Sequence, residues 1–121
     1  MTLTFEKDKR LLSAKDFHHV FAQPIKKIHS EHLLVLVRHN QKAWARLGLA
    51  ISKKKLKNAT DRNQLKRLIR EHFRHQQCNM SAVDLVFVIK VGYHKDDSAC
   101  IKTQLQDIFT KLVALYPSNM M

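Results

Sequence analysis

Arg46-Leu-Gly-Leu-Ala-Ile-Ser52 runs without a break into Lys53-Lys-Lys-Leu-Lys-Asn-Ala-Thr-Asp-Arg-Asn-Gln-Leu-Lys-Arg-Leu-Ile-Arg-Glu-His-Phe-Arg-His75. An apolar run of strand character therefore delivers the chain into a lysine-rich turn and then into a helix. From Lys53 to His75 there are nine Lys/Arg against two acids, and their placement matters more than their number. At about 100° per residue, Arg62, Lys66, Arg67, Arg70 and Arg74 share an arc of about 140°, with Asn63 among them. Leu65, Leu68, Ile69, His72 and Phe73 occupy the adjoining side. One face of this helix can enter a core while its neighbour presents five cations. Like charges at i,i+4 spacing weaken a helix by about 0.2–0.5 kcal/mol per pair. A face of one sign therefore points to an external polyanion that offsets the repulsion. Five phosphate contacts would give a log–log salt slope of roughly −3.5 to −4.5.

Working outward, residues 25–30 read as a short strand and Leu33 to Val37 as a β-rich run. His39-Asn-Gln-Lys42 is a polar connection of the hairpin kind, leading into the strand that begins at Arg46. Asp84-Leu-Val-Phe-Val-Ile-Lys-Val91 is apolar at nearly every position, which predicts a central strand ended by Gly92. Ser13 with Asp16 resembles a capping box that opens a helix carrying Phe17, Val20 and Phe21, stopped by Gln23-Pro24. Asn58 or Thr60 caps the basic helix, which fades near Gln76. Asp97 or Ser98 caps a last helix in which Ile101, Leu105, Ile108, Phe109, Leu112, Val113 and Tyr116 recur, with Pro117 as its stop. Residues 1–12 read as an extended arm. The order α-β-β-β-α-β-α predicts a single α+β domain over residues 1–121, an α/β sandwich whose open sheet has about four strands.

The 121 residues carry a net charge of +12, which favours nucleic acid as a partner. No apolar run approaches the ~20 residues of a membrane span, and the first ten residues lack a signal peptide's apolar core. Cys78 and Cys100 have no metal-type spacing and read as free thiols, so the chain is expected in the cytoplasm. Enzyme chemistry finds little footing. The only glycines are Gly48 and Gly92, so there is no Gly-rich phosphate loop. No serine sits in a nucleophile elbow and no carboxylate pair stands out, so no catalytic residue and no metal ligand is assigned. His72, His75 and Cys78 drift around the helix rather than converging, which leaves His72 at the core boundary, His75 exposed and Cys78 beyond the helix end. His18 and His19 read as solvated. Phe17 and Phe21 stand at i,i+4, either as core or as a contact surface for unpaired bases. A helix-turn-helix reader needs a helix before its recognition helix, and here a strand and a lysine-rich loop precede it. The helix's apolar face is needed by the core, which disfavours a membrane-surface role. A ribosomal or general structural RNA-binding protein remains the alternative to an RNA-processing one.

Arg46-Leu-Gly-Leu-Ala-Ile-Ser-Lys-Lys54, followed by Ala59-x-x-Arg-Asn-x-x-Lys-Arg-Leu-Ile-Arg-x-x-Phe73, resembles the signature of the bacterial ribonuclease P protein subunit. Phe5, Arg10-Leu11, Asp16-Phe17-x-x-Val20-Phe21 and the strand at Asp84 extend the resemblance over almost the whole chain. In that family a large RNA cuts precursor tRNA with divalent metal, and the protein helps hold the 5′ leader. The resemblance thus implies the catalytic RNA and the precursor tRNA leader as partners, no required protein partner, and Mg²⁺ in the holoenzyme but no cofactor on the chain itself. It implies an isolated chain without activity. Lys53, Lys54, Arg62, Asn63, Lys66, Arg67 and Arg70 become the set facing the catalytic RNA, with Arg74 added by the helical wheel. Phe17 and Phe21 become candidates for a leader cleft between the first helix and the sheet, beside Arg10 and Arg46. A left-handed β-α-β crossover around the basic helix is likewise implied by the resemblance. The family's Arg-Asn-Arg is here Arg62-Asn63-Gln64. Gln64 lies just outside the cationic arc, so its neutrality is expected to trim affinity rather than abolish it.

Overall fold

Side-chain alternation in the strands decides which helix covers which side of the sheet. The computed structural model describes residues 14–40, 44–93 and 98–118. Its elements are α1 (Ala14–Ala22), β1 (Lys26–His29), β2 (Leu33–His39), β3 (Arg46–Ala50), α2 (Ala59–Gln76), β4 (Val83–Ile89) and α3 (Ser98–Leu115), with a 3₁₀ turn over Gln77–Asn79 after α2. This is the α+β order expected from the sequence. Asn58, rather than Thr60, caps α2: its side-chain oxygen accepts from the Thr60 N–H at 2.9 Å. The expected arm over residues 1–12, the Ser13 cap and Asp97 lie outside the described residues. No helix among the described residues is long and apolar enough to cross a membrane.

The strands lie in the order β1-β2-β4-β3. β1 and β2 form an antiparallel hairpin, Lys26 opposite Val37 and His29 opposite Leu34. The hairpin expected across residues 39–42 does not form. β4 enters between β2 and β3, antiparallel to β2 and parallel to β3. The reason is burial: six of the seven β4 residues are buried, and only an interior strand can satisfy both backbone edges while hiding both faces. α2 is consequently the crossover of a parallel β3-α2-β4 unit.

Odd-numbered residues of β2, β3 and β4, with Ile28 of β1, build the main core. Leu33, Val35 and Val37 of β2, Leu47 of β3, and Val83, Leu85, Phe87 and Ile89 of β4 meet Leu65, Ile69 and Phe73 of α2 and Ile101, Leu105, Ile108, Phe109 and Leu112 of α3. Phe109 is stacked between rings, 5.5 Å from Phe87 and 6.0 Å from His72, which accounts for His72 at the core edge. The even-numbered face carries a much smaller cluster. Val20 of α1 covers Leu36 and Val86, with Phe17, Leu34, Ala50 and Val88 around them. Two helices of 18 residues thus cover one face, and one helix of nine covers part of the other.

Tyr93 closes the end of the sheet near α2, its ring edge-on to His32 at 5.6 Å. Burial, reinforced by the negative charge of Asp61, pushes its phenol up from 10.0 to about 12. The folded state therefore holds this proton more tightly than the unfolded chain does. Stability tied to Tyr93 is fully present below about pH 10 and is lost as pH rises toward about 12. Urea midpoints at about pH 9 and about pH 11 should show a fall in the parent that is smaller in Tyr93→Phe.

Candidate nucleic-acid interface

The lysines after β3 are presented by a built turn. The Ser52 carbonyl accepts from the Leu56 N–H at 3.0 Å, and Ser52 Oγ accepts from the Lys54 N–H at 3.0 Å. Leu56 is buried and anchors the turn from below, while Lys53, Lys54 and Lys55 remain exposed. Gly92 supplies the seat. A Cβ there would overlap the Lys55 carbonyl oxygen, so the backbone approaches as closely as only glycine permits. Gly92→Ala should push the turn outward and cost about 1–3 kcal/mol. It should weaken RNA binding although no charge changes, checked by urea unfolding and RNA titration of the same variant.

The α2 surface follows the helical wheel. Leu65, Ile69 and Phe73 are fully buried, and Asn63, Arg67 and Arg70 are exposed, with Lys66 and Arg74 partly so. Lys66, Arg67, Arg70 and Arg74 take part in no ion pair or side-chain hydrogen bond among the described residues. Their charges are consequently available to an external anion. Gln64 is half-buried beside them. Arg62 differs. Its Nη1 donates to the carbonyls of Leu56 at 2.9 Å and Lys57 at 2.7 Å, so it clamps the lysine turn onto α2. Shaping the turn is a duty the wheel did not reveal.

The second cationic surface lies on the opposite side of the sheet. Phe17 is partly buried against the small cluster, whereas Phe21 is 48% exposed, the two rings 6.4 Å apart and nearly parallel. Phe17 thus packs against the sheet, while Phe21 offers an exposed ring face. Arg46, expected beside the leader, is committed internally. Its Nε and Nη2 donate to Asp84 Oδ1 and Oδ2 at 2.8 and 2.7 Å, and its Nη1 reaches Asp16 Oδ2 at 3.2 Å. The two carboxylates raise its pKa further, Asp84 chiefly. Arg46 therefore ties α1 to the sheet, and Arg38 holds the other end of α1 by donating to the Gln23 carbonyl at 2.8 Å. Arg10 lies outside the described residues.

Beyond α1, no described element covers this face. Leu34, Ala50 and Val88 are only half-buried there. Strand alternation adds Lys27, opposite Leu36, and His29, opposite Leu34, with Lys90 Nζ 3.4 Å from His29 Nδ1 and 3.0 Å from the Ser30 carbonyl. Sequence reading passed over these residues. The alternation in Lys26-Lys-Ile-His29, with Ile28 buried and its neighbours exposed, was the available signal. Because β3 and β4 are parallel, the lysine turn and Gly92 leave the sheet at the same end, so the turn lies between the α2 surface and this open face.

A sandwich that displays unpaired cations along one helix and a basic-rimmed apolar floor on its sheet belongs to the class of proteins that hold an RNA backbone. The family model for Ribonuclease P matches residues 5–113. The ribonuclease P protein component of Legionella pneumophila strain Lens is 44% identical over 112 residues, covering 93% of this chain and 96% of the relative. That of Chromohalobacter salexigens is 42% identical over 108 residues, covering 89% and 84%. The solved RNase P protein of Thermotoga maritima superposes with a TM-score of 0.63 at 30% identity, covering 89% of this chain and 94% of that one. A mutant RNase P protein of Staphylococcus aureus reaches 0.71 at 24% identity, covering 90% and 88%, a likeness of fold. The chain belongs to the ribonuclease P protein component family. It is the protein subunit of an RNA-based endoribonuclease that removes the 5′ leader in tRNA processing, and it associates with the ribonuclease P RNA.

Proposed function

We propose that the chain divides its two cationic surfaces between two RNAs. Lys53, Lys54, Asn63, Lys66, Arg67, Arg70 and Arg74 hold the catalytic RNA, and the open sheet face beside α1 holds the 5′ leader of precursor tRNA. One observation carries the leader assignment: among the described residues only a nine-residue helix covers this sheet face, and the partly exposed apolar surface beside it is rimmed by Lys27, His29 and Lys90. A single strand suits such a surface, because bases cover the apolar floor and Phe21 while phosphates meet the rim. On this reading the cleavage chemistry, with its Mg²⁺, resides in the RNA, and the complex works in the cytoplasm.

Precursor tRNAs with progressively longer leaders, titrated against holoenzyme reconstituted from this chain and its catalytic RNA, test the assignment. Affinity should rise with leader length and then level off. The rise should flatten in Lys27→Ala/Phe21→Ala, while binding of mature tRNA stays the same. Affinity independent of leader length would sink the leader role. Metal-dependent cleavage by repurified, RNA-free chain would overturn the division of labour.

A further inference from the structure

β1 is an outer strand, bonded to β2 alone among the described strands, and it carries basic side chains on both of its faces. Lys27 and His29 stand opposite Leu36 and Leu34 and rim the leader face. Lys26 and Ile28 stand opposite Val37 and Val35, whose side chains enter the main core. They therefore turn the other way, toward α3. There β1 and the C-terminal end of α3 enclose a groove of about 430 Å³, lined by Ile28, Ala114, Leu115, Lys111 and the basic residues of β1.

The chemistry of this groove is one-sided. Its floor is aliphatic, with Leu115 half-exposed, and every ionisable residue lining it is basic. Lys26, Lys27 and Lys111 take part in no ion pair or side-chain hydrogen bond among the described residues. Ammonium groups gathered around one depression repel one another, and an external anion offsets that cost. Apolar surface between cations suits a ligand that alternates bases with phosphates, as single-stranded RNA does. The volume falls in the range of small-ligand sites, room for an unstacked nucleotide and not for a duplex.

Continuity selects which RNA. The lysine turn follows β3, at the opposite edge of the sheet from β1, so the surface for the catalytic RNA is a sheet's width away. Lys27 and His29, by contrast, belong both to the rim of the leader face and to the lining of the groove. Positive charge thus runs from one face to the other around the β1 edge.

We propose that the leader, after crossing the sheet face, turns over β1 and seats its distal nucleotides in the β1–α3 groove. Lys26 and Lys111 meet phosphates there, and Ala114 and Leu115 lie under a base. This rests on the leader assignment above and extends it: the protein grips two consecutive stretches of leader. The groove adds affinity only for leaders long enough to round the edge, and its aliphatic floor makes that second grip tolerant of sequence.

Holoenzyme reconstituted from the full-length chain and its catalytic RNA, titrated with precursor tRNAs of stepwise longer leaders, tests the groove. The parent and Lys26→Ala/Lys111→Ala should bind short leaders equally. Once the leader reaches β1, the parent should keep gaining affinity and the double variant should stop. On the longest leaders the variant should be about 5- to 30-fold weaker, with a salt slope shallower by about 1.4 units for two single-strand contacts. Ala114→Glu, at an exposed position, should reproduce the defect without removing a cation. Thiouridine placed in the distal leader should crosslink to β1 or to the end of α3. A parent whose affinity ignores leader length refutes the leader assignment itself. A parent that gains with length while the double variant follows it throughout refutes the groove alone, and leaves its lysines to another anion such as an acidic protein segment. An equal loss on mature tRNA, or distal crosslinks confined to α1 and the sheet face, also overturns the groove.

Discussion

Replacing Lys66, Arg67 and Arg70 together by alanine is expected to lower affinity for the catalytic RNA by about 150- to 2,000-fold, taking about 1–1.5 kcal/mol per contact. The log–log salt slope should become shallower by about 2–3 units, because each phosphate contact contributes about 0.7–0.9. These side chains have no internal partner among the described residues, so the free protein loses nothing when they go. Lys66 and Arg70 stand four residues apart and repel, as do Arg70 and Arg74. Removing the repulsion should leave the RNA-free thermal midpoint unchanged or slightly higher, by about 0.2–0.5 kcal/mol per relieved pair. Loss of affinity without loss of stability is the signature of a face built for a partner. An unchanged slope would mean that α2 presents an ordinary solvated surface. Arg62 is excluded from the set because Arg62→Ala also releases the Leu56 and Lys57 carbonyls. That variant should lose RNA affinity and thermal stability together.

The second large effect belongs to Asp84. This buried carboxylate accepts two hydrogen bonds from Arg46 and a third from Asn40 Nδ2 at 2.8 Å. Its partner is nearly as well hidden, with the Arg46 side chain 13% exposed. Asp84→Ala would leave a guanidinium inside the sheet with only the more exposed Asp16 to face. Breaking a buried pair in this way costs about 3–5 kcal/mol, a large share of the stability of a domain this size. Equilibrium urea unfolding should show it directly. Arg46→Lys should recover little, since an ammonium cannot reproduce the two-pronged contact. The double variant Arg46→Met/Asp84→Leu should be much closer to the parent in stability, because apolar replacement of a whole buried pair is often neutral. Val20, Phe17 and Arg38 would still hold α1 to the sheet. A near-neutral Asp84→Ala would show that solvent reaches Arg46 freely.

These two results separate what periodicity reveals from what it conceals. The α2 wheel sorted Leu65, Ile69 and Phe73 from Arg67 and Arg70 correctly, since helical spacing is a local property written into consecutive residues. The sequence named Arg62 from the wheel and Arg46 as a leader candidate without showing that both are engaged internally. Arg46 finds Asp84 38 residues away, and Arg62 finds carbonyls whose direction depends on how the lysine turn folds. Phe17 and Phe21 read identically in sequence, and packing against Val86 and Leu36 assigned them different exposures.

By itself the sequence determined the order of elements, the Asn58 cap region, the buried stripe and cationic arc of α2, and the family motif from Arg46 to Phe73. All of these rest on neighbours within a few residues. Tertiary structure decided the rest. It placed β4 between β2 and β3, left Leu34, Ala50 and Val88 partly exposed on the even-numbered face, turned Arg46 and Arg62 inward, and brought Glu31 and His32 to Cys100. Each of those outcomes depends on contacts across the chain, where burial of β4 on both faces outweighs the shorter connection that a β2–β3 hairpin would have offered.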